Sequence, residues 1–209
     1  MNRQLSIIAF VAVLLTGCVT TTVNVVDRKP VDRPFSRVLC FYLPEGCDFS
    51  LFDSTLYNIC LRNHALQDEG YAQRSGQESI IAKKMSTAGT SVLESSYVLD
   101  STRSSYADFL HYIDSMKVDG LLIVGVRSFA HEDHTGLVPV GGGILAQHTY
   151  TTLNGAFMCD LFSTRSLVRP VFRAEIGEKG RRYSTKTGLT AKLLQQVVES
   201  LKNTAYIAH

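Results

Sequence analysis

Apolar and polar positions alternate in two rhythms along this chain. Arg37 to Leu43, RVLCFYL, is almost continuously apolar and bounded by Pro34 and Pro44, which predicts a buried strand. The stretch from Phe49 to Gln67 fits a helix through Phe52, Leu56, Ile59 and Asn63, although Leu56 to Leu61 also reads as a strand. Over Gln77 to Ser95, Ile81, Met85, Ala88 and Val92 recur at spacings of three and four with Lys83 and Lys84 turned away, so a core-packing helix is expected. A short strand is expected at Tyr97 to Leu99. Ser105 and Asp108 have the spacing of a capping box, which opens a helix with Tyr106, Phe109, Leu110, Ile113 and Met116 on one face and an end at Asp119-Gly120.

The second half changes period. LLIVGVRSF, residues 121 to 129, is a β-branched apolar run of the kind buried on both faces of a sheet. Thr149 to Phe162 alternates, with Leu153, Gly155, Phe157, Cys159 and Leu161 on one face. A turn at Ser163 to Ser166 leads to a further strand from Arg169 to Gly177, where Phe172, Ala174 and Ile176 face one way and Pro170 suits a strand start or edge. Gly188 to Thr204 closes the pattern with an amphipathic helix carrying Leu189, Leu193, Leu194, Val197, Val198 and Leu201. The order predicts an α/β fold: a mixed β-sheet packed with helices as an α/β sandwich, in a single domain (35–209) with a long β-hairpin.

The amino terminus does not belong to that pattern. MNRQLSIIAFVAVLLTGC has Arg3, an apolar run from Leu5 to Leu15 too short to span a bilayer, and then small residues, the layout of a secretory signal. Its end, Leu15, Thr16, Gly17, Cys18, resembles the lipobox of bacterial lipoprotein signals. That resemblance implies a signal peptide at 1–17, a diacylglyceryl group on the Cys18 sulfur, and palmitate-type acylation of the new amino group. Two or three acyl chains anchor stably where one is marginal. Val19 stands where an aspartate would imply inner-membrane retention, so the resemblance implies an outer-membrane lipid anchor facing the periplasm, with display outside the cell left open. Residues 18–34, Thr-rich and then bearing Pro30 and Pro34, are expected to form a flexible tether.

Composition narrows the function. The 209 residues leave enough chain for one domain with a core. Lys and Arg total 21 against 19 Asp and Glu, a balance that gives no electrostatic reason to expect nucleic acid as a partner. Cys40, Cys47, Cys60 and Cys159 sit in a compartment that permits disulfides; Cys40 and Cys47 flank a turn and could meet, buried free thiols are the alternative, and spacing alone does not fix the pairing. With the lipobox, an early strand, a helix before an apolar strand, a glycine-bearing hairpin and a closing helix, the mature chain resembles small envelope lipoproteins whose domain is like the TolB amino-terminal domain. Many such proteins have no assigned activity, so the resemblance implies fold more than function.

Candidate chemistry concentrates in HEDHTGLVPVGGGILAQH, residues 131 to 148. His131, Asp133, His134 and His148 could supply metal ligands at a hairpin base, the basis of an alternative reading as a metal- or ligand-dependent enzyme. The helical spacing of two zinc histidines is missing. Gly141 to Gly143 are followed by Ile144-Leu145-Ala146 with no Lys-Ser/Thr, so they suit a hairpin tip better than a phosphate cradle. No nucleophile motif occurs. The basic cluster RRYSTK, residues 181 to 186, reads as a solvated loop. The principal expectation is therefore a non-enzymatic, cofactor-free lipoprotein that binds another envelope protein or copies of itself through Leu137, Val138, Pro139, Val140, Ile144 and Leu145.

Overall fold

The computed structural model describes residues 21–43, 49–62, 68–86, 89–98, 105–141, 144–182 and 185–207. The segment read as a signal (1–17), Cys18, Cys47, Gly142 and Gly143 lie outside the described residues. One six-stranded mixed sheet organises the chain: β1 (Thr21–Arg28), β2 (Arg37–Leu43), β3 (Ser91–Glu94), β4 (Gly120–Gly141), β5 (Ile144–Ser163) and β6 (Phe172–Arg182). Across the sheet the order is β1-β6-β5-β4-β2-β3. β2 is parallel to β3 and β4, whereas β4, β5, β6 and β1 form an antiparallel meander.

Side-chain alternation divides the sheet into two dry faces. Val38, Cys40, Tyr42, Leu122, Val124, Phe157, Cys159, Phe172 and Ala174 meet Ile81 and Met85 of α2 (Asp68–Ser86) and the Leu189, Leu193, Leu194, Val197, Leu201 stripe of α4 (Lys186–Asn203). On the other face Leu39, Phe41, Leu121, Ile123 and Phe162 pack on Phe52, Tyr57, Phe109 and Ile113. Those residues come from the segment of α1 (Ser54–Leu56), the π-helical Tyr57–Arg62, and α3 (Tyr106–Ser115). Aromatic rings form much of this second core, with Tyr57 and Phe109 centroids 4.8 Å apart and Phe52 and Phe162 5.6 Å apart.

Local chemistry sets the boundaries. The expected capping box is present: the Asp108 N–H donates to Ser105 Oγ at 3.1 Å, and the Ser105 N–H donates back to Asp108 Oδ2 at the same distance. α3 ends at Lys117 in the left-handed region, φ 54°, just ahead of the expected Asp119-Gly120 stop. Asp119 instead ties two strands together, accepting from the Ser36 and Arg37 N–H groups at 3.0 and 2.9 Å and from Ser36 Oγ at 2.8 Å. α4 is capped by Thr185, whose Oγ1 accepts from the Gly188 N–H.

Three expectations are corrected. Thr21–Arg28, inside the expected tether, is an edge strand antiparallel to β6. Its Thr and Val content favours extended backbone, and the Lys29 N–H to Val171 O bond (2.8 Å) and the Tyr206 hydroxyl to Lys29 O bond (2.7 Å) hold its end. The helix read over Gln77 to Ser95 runs from Asp68 to Ser86; Gly89, at φ 78°, turns the chain so that Val92 enters parallel strand β3. Ser95–Tyr97 is a 3₁₀ turn where a strand was expected at Tyr97 to Leu99. Of the two cysteine readings left open, the buried free thiol holds for Cys40 and Cys159, which lie in the core between the sheet and its α2 and α4 cover; Cys60 is the disulfide-bonded cysteine among the described residues.

Candidate functional site: a two-stranded arm

β4 and β5 outrun their neighbours. Among the described residues, β2 pairs with β4 from Gly120 to Gly125, and β6 pairs with β5 no farther towards the hairpin tip than Thr152 opposite Arg182. From Asp133–Thr151 outward the two strands pair, among the described residues, only with each other, through Leu137–Gln147, Val138–Ala146 and Pro139–Leu145. The nine residue steps from Glu132 to Gly141 span roughly 30 Å at ~3.3 Å each. A bulge between Pro139 and Gly141 accommodates the proline, which cannot donate to the ladder.

The base of the arm is pinned by packing. A Cβ on Gly155 would lie 2.8 Å from the Phe129 ring, 3.0 Å from Leu189 and 3.1 Å from Leu193, so only glycine lets α4 approach β5 this closely. Lys186 Nζ sits 4.9 Å from the Phe129 ring centroid. On the other face Asn154 Nδ2 donates to Glu132 Oε2 at 2.7 Å and Lys179 Nζ lies 4.0 Å from the same oxygen. That hydrogen bond, and then the lysine charge, hold the Glu132 carboxyl below its usual range.

Strand alternation separates the histidine candidates. His131 and Asp133 share one face, where Thr151 Oγ1 donates to Asp133 Oδ1 at 2.6 Å. His134 and His148 lie on the opposite face around Tyr150, with ring centroids 5.2 and 6.2 Å from it. His134 Nε2 is 2.9 Å from Thr152 Oγ1 and 3.8 Å from Glu132 Oε2. The four candidate ligands therefore do not converge, and among the described residues no group of three or more His, Cys, Asp or Glu is placed to hold a metal. The metal-enzyme alternative is corrected by this pairing.

The apolar candidates do come together. Leu137, Pro139 and Leu145 share one face of the arm, with Leu137 66% and Leu145 58% exposed; Val138, 39% exposed, faces the other way beside Ala146. Side chains of Val140 and Ile144 lie outside the described residues. Among the described residues a cavity of about 180 Å³ lined by Asp32, Arg33, Asp119 and Arg165 sits at the far end of the sheet and holds no histidine or cysteine.

Sequence reasoning missed a buried polar cluster under α2. Glu78 accepts from the Tyr42 N–H at 3.0 Å, the Ser95 N–H at 2.9 Å and the Ser95 hydroxyl at 2.8 Å, and Arg74 Nε lies 3.8 Å away. Burial pushes the Glu78 carboxyl up to about 7 against the opposing pull of those donors. The available signal was positional, since Arg74 and Glu78 fall on the same stripe as Ile81 and Met85.

No protein-family model matches the chain. No curated protein matches it in sequence. Among solved structures, a PelC dodecamer from Paraburkholderia phytofirmans is similar at TM-score 0.51 and 12% identity, covering 91% of this chain and 100% of that one. A second PelC dodecamer from the same organism gives 0.48 at 13% identity, over 89% and 98%. The lipoprotein GNA1162 from Neisseria meningitidis gives 0.37 at 16% identity, over 80% and 99%. The first of these likenesses establishes a shared α/β fold. No helix among the described residues is long and apolar enough to cross a membrane.

Proposed function

We propose that this chain is a non-enzymatic module of the bacterial cell envelope, held to the outer membrane through acyl chains on Cys18 and facing the periplasm, that assembles with copies of itself or with another envelope protein. The observation that carries the reading is the arm. A two-stranded ribbon without a third strand is marginal in water, and this one exposes Leu137, Val138 and Leu145 near its tip. Such a ribbon gains stability by lying against a second surface. The PelC neighbour being a dodecamer supports self-assembly as the mode. The lipobox supports the anchor, and the TolB-like resemblance of the pattern belongs to the same reading.

The test uses the full chain produced with its own signal in a Gram-negative host. Mass spectrometry of the mature amino-terminal peptide is expected to find a lipidated Cys18, and sedimentation of the detergent-extracted protein is expected to give a multiple of the mature mass. An unlipidated Cys18 would overturn the anchor. A monomer that crosslinks to no other protein in intact cells would overturn assembly.

A further inference from the structure

The first residue of β1, the arm and the basic end of β6 all occupy the same end of the sheet. Strand register places Thr21 opposite Glu178, Glu178 opposite Gly155 and Gly155 opposite Phe129, so the first residue of β1 is level with the base of the arm. β1 runs away from that row toward Arg28, and the arm runs the opposite way. Only three residue steps separate Cys18 from Thr21, a reach of at most about 11 Å. From Phe129 to Gly141 the arm extends roughly 40 Å at ~3.3 Å per residue. Adjacent strands rotate by roughly 20–25°, so across the two steps from β1 to β5 the arm still advances roughly 25–30 Å along the direction in which the chain leaves for Cys18.

We infer that the surface met by the apolar tip is the bilayer that holds the Cys18 lipid, making the arm a second membrane contact of the same molecule. The inference rests on the anchored reading above. The arm is too long, and the link to Cys18 too short, for the tip to remain remote from the bilayer while β1 stays in the sheet. The chemistry of the tip suits that seat. Thr135 to Gln147 contains no Asp, Glu, Lys or Arg, and Tyr150, with His134 and His148 beside it, forms an aromatic collar where the run ends.

The basic residues supply a complementary charge. Lys179, Arg181 and Arg182 lie at the last positions of β6, with Arg182 opposite Thr152, and Lys186 opens α4 beside Phe129. The Lys179 and Lys186 ammonium groups lie at the arm base, where anionic headgroups would lie, and the strand register brings the backbone of Arg182 level with it. The outer edges of the ribbon carry unpaired backbone groups, which hydrocarbon does not tolerate. The tip of one copy therefore seats at the headgroup–acyl boundary, about 5–10 Å deep, and does not cross.

The test removes the lipid and keeps the arm. The mature chain carrying Cys18→Ser is mixed with phosphatidylcholine vesicles with and without phosphatidylglycerol, and the bound fraction is read by co-sedimentation. It is expected to bind the anionic vesicles more tightly, with added salt weakening the binding. Leu137→Asp with Leu145→Asp should lower the partition coefficient about tenfold or more, and Leu145→Asp alone by a smaller factor in the same direction. Val168→Asp, an equally exposed apolar site far from the arm, should leave it unchanged; circular dichroism checks the fold of each variant. A folded Cys18→Ser chain that ignores vesicles, or a double variant that partitions like its parent, overturns the inference. Tip substitutions that dissociate an oligomer without altering vesicle binding assign the tip to protein and overturn it as well. None of these results depends on whether Cys18 is lipidated, which the mass measurement settles separately.

Discussion

Raising the pH from about 4.5 to about 8 should destabilise this domain through one carboxyl group. Glu78 is fully buried, and its folded-state pKa lies at about 7 against an ordinary 4.5. A carboxyl raised on folding binds its proton more tightly in the native state, so its stabilising contribution is complete below about 4.5 and is lost as pH rises through about 7. The interval corresponds to about 3 kcal/mol, from roughly 1.4 kcal/mol per pH unit, a sizeable share of the ~5–15 kcal/mol that holds a typical domain. The groups facing Glu78 are the Tyr42 and Ser95 N–H donors, the Ser95 hydroxyl and the Arg74 guanidinium. The assay is urea unfolding of the chain at a series of pH values, beside Glu78→Gln, which retains one acceptor oxygen but cannot ionise. The wild type minus variant difference should fall by about 3 kcal/mol across the window. A difference that stays flat, or rises with pH, would refute the assignment of a raised pKa to this site.

Four further outcomes follow from the packing. Gly155→Ala places a methyl against Phe129, Leu189 and Leu193 and should cost about 1–3 kcal/mol in chemical denaturation. Asp119→Ala removes three hydrogen bonds to Ser36 and Arg37 and should cost roughly 1–3 kcal/mol, read as a lower urea midpoint with an unchanged slope. Lys117→Gly relieves a left-handed non-glycine residue after α3 and should stabilise by roughly 0.5–1 kcal/mol; a lower melting temperature contradicts the strain argument. Burial pushes the Cys40 and Cys159 thiols well above their ordinary range, so both should resist iodoacetamide at pH 8 until denaturant unfolds the chain, as peptide mass mapping would reveal.

Much of the sheet was legible because its strands have distinct periods. RVLCFYL and LLIVGV read as buried on both faces, and β2 and β4 are the parallel pair at the centre of the fold. The alternation of Leu153 to Leu161 put on one face the residues that pack with the α4 stripe. The capping residues of α3 were equally local and equally readable. Errors arose where partners are distant in sequence. Thr21–Arg28 has strand composition, but nothing nearby discloses β6, about 150 residues on; close to a segment that reads as a signal and followed by prolines, it reads as a tether. Val92 fits the helical stripe of α2 until Gly89 breaks it.

The arm was legible as a hairpin with an apolar tip, but its role depended on register. Histidines that look clustered in HEDHTG are divided between two faces once the strands pair, since Asp133 and His134 must point oppositely. The basic residues at 181 to 186, read in isolation as a solvated loop, acquire position because β6 delivers Arg182 opposite Thr152 at the arm base.

The pairing of the first strand with the last also orders events in time. Among the described strands β1 leaves the ribosome first, yet the strand it pairs with, β6, is made last; the Thr22 hydroxyl donates to Gly177 O across 155 positions. Closing so long a loop is entropically slow, and contacts of that separation form late. Until β6 is available the nascent sheet has an open margin, and Thr21–Arg28 stays unpaired. Any enzyme that must grip an extended amino-terminal segment therefore has its opportunity before the fold is complete, and the docking of β1 withdraws that opportunity.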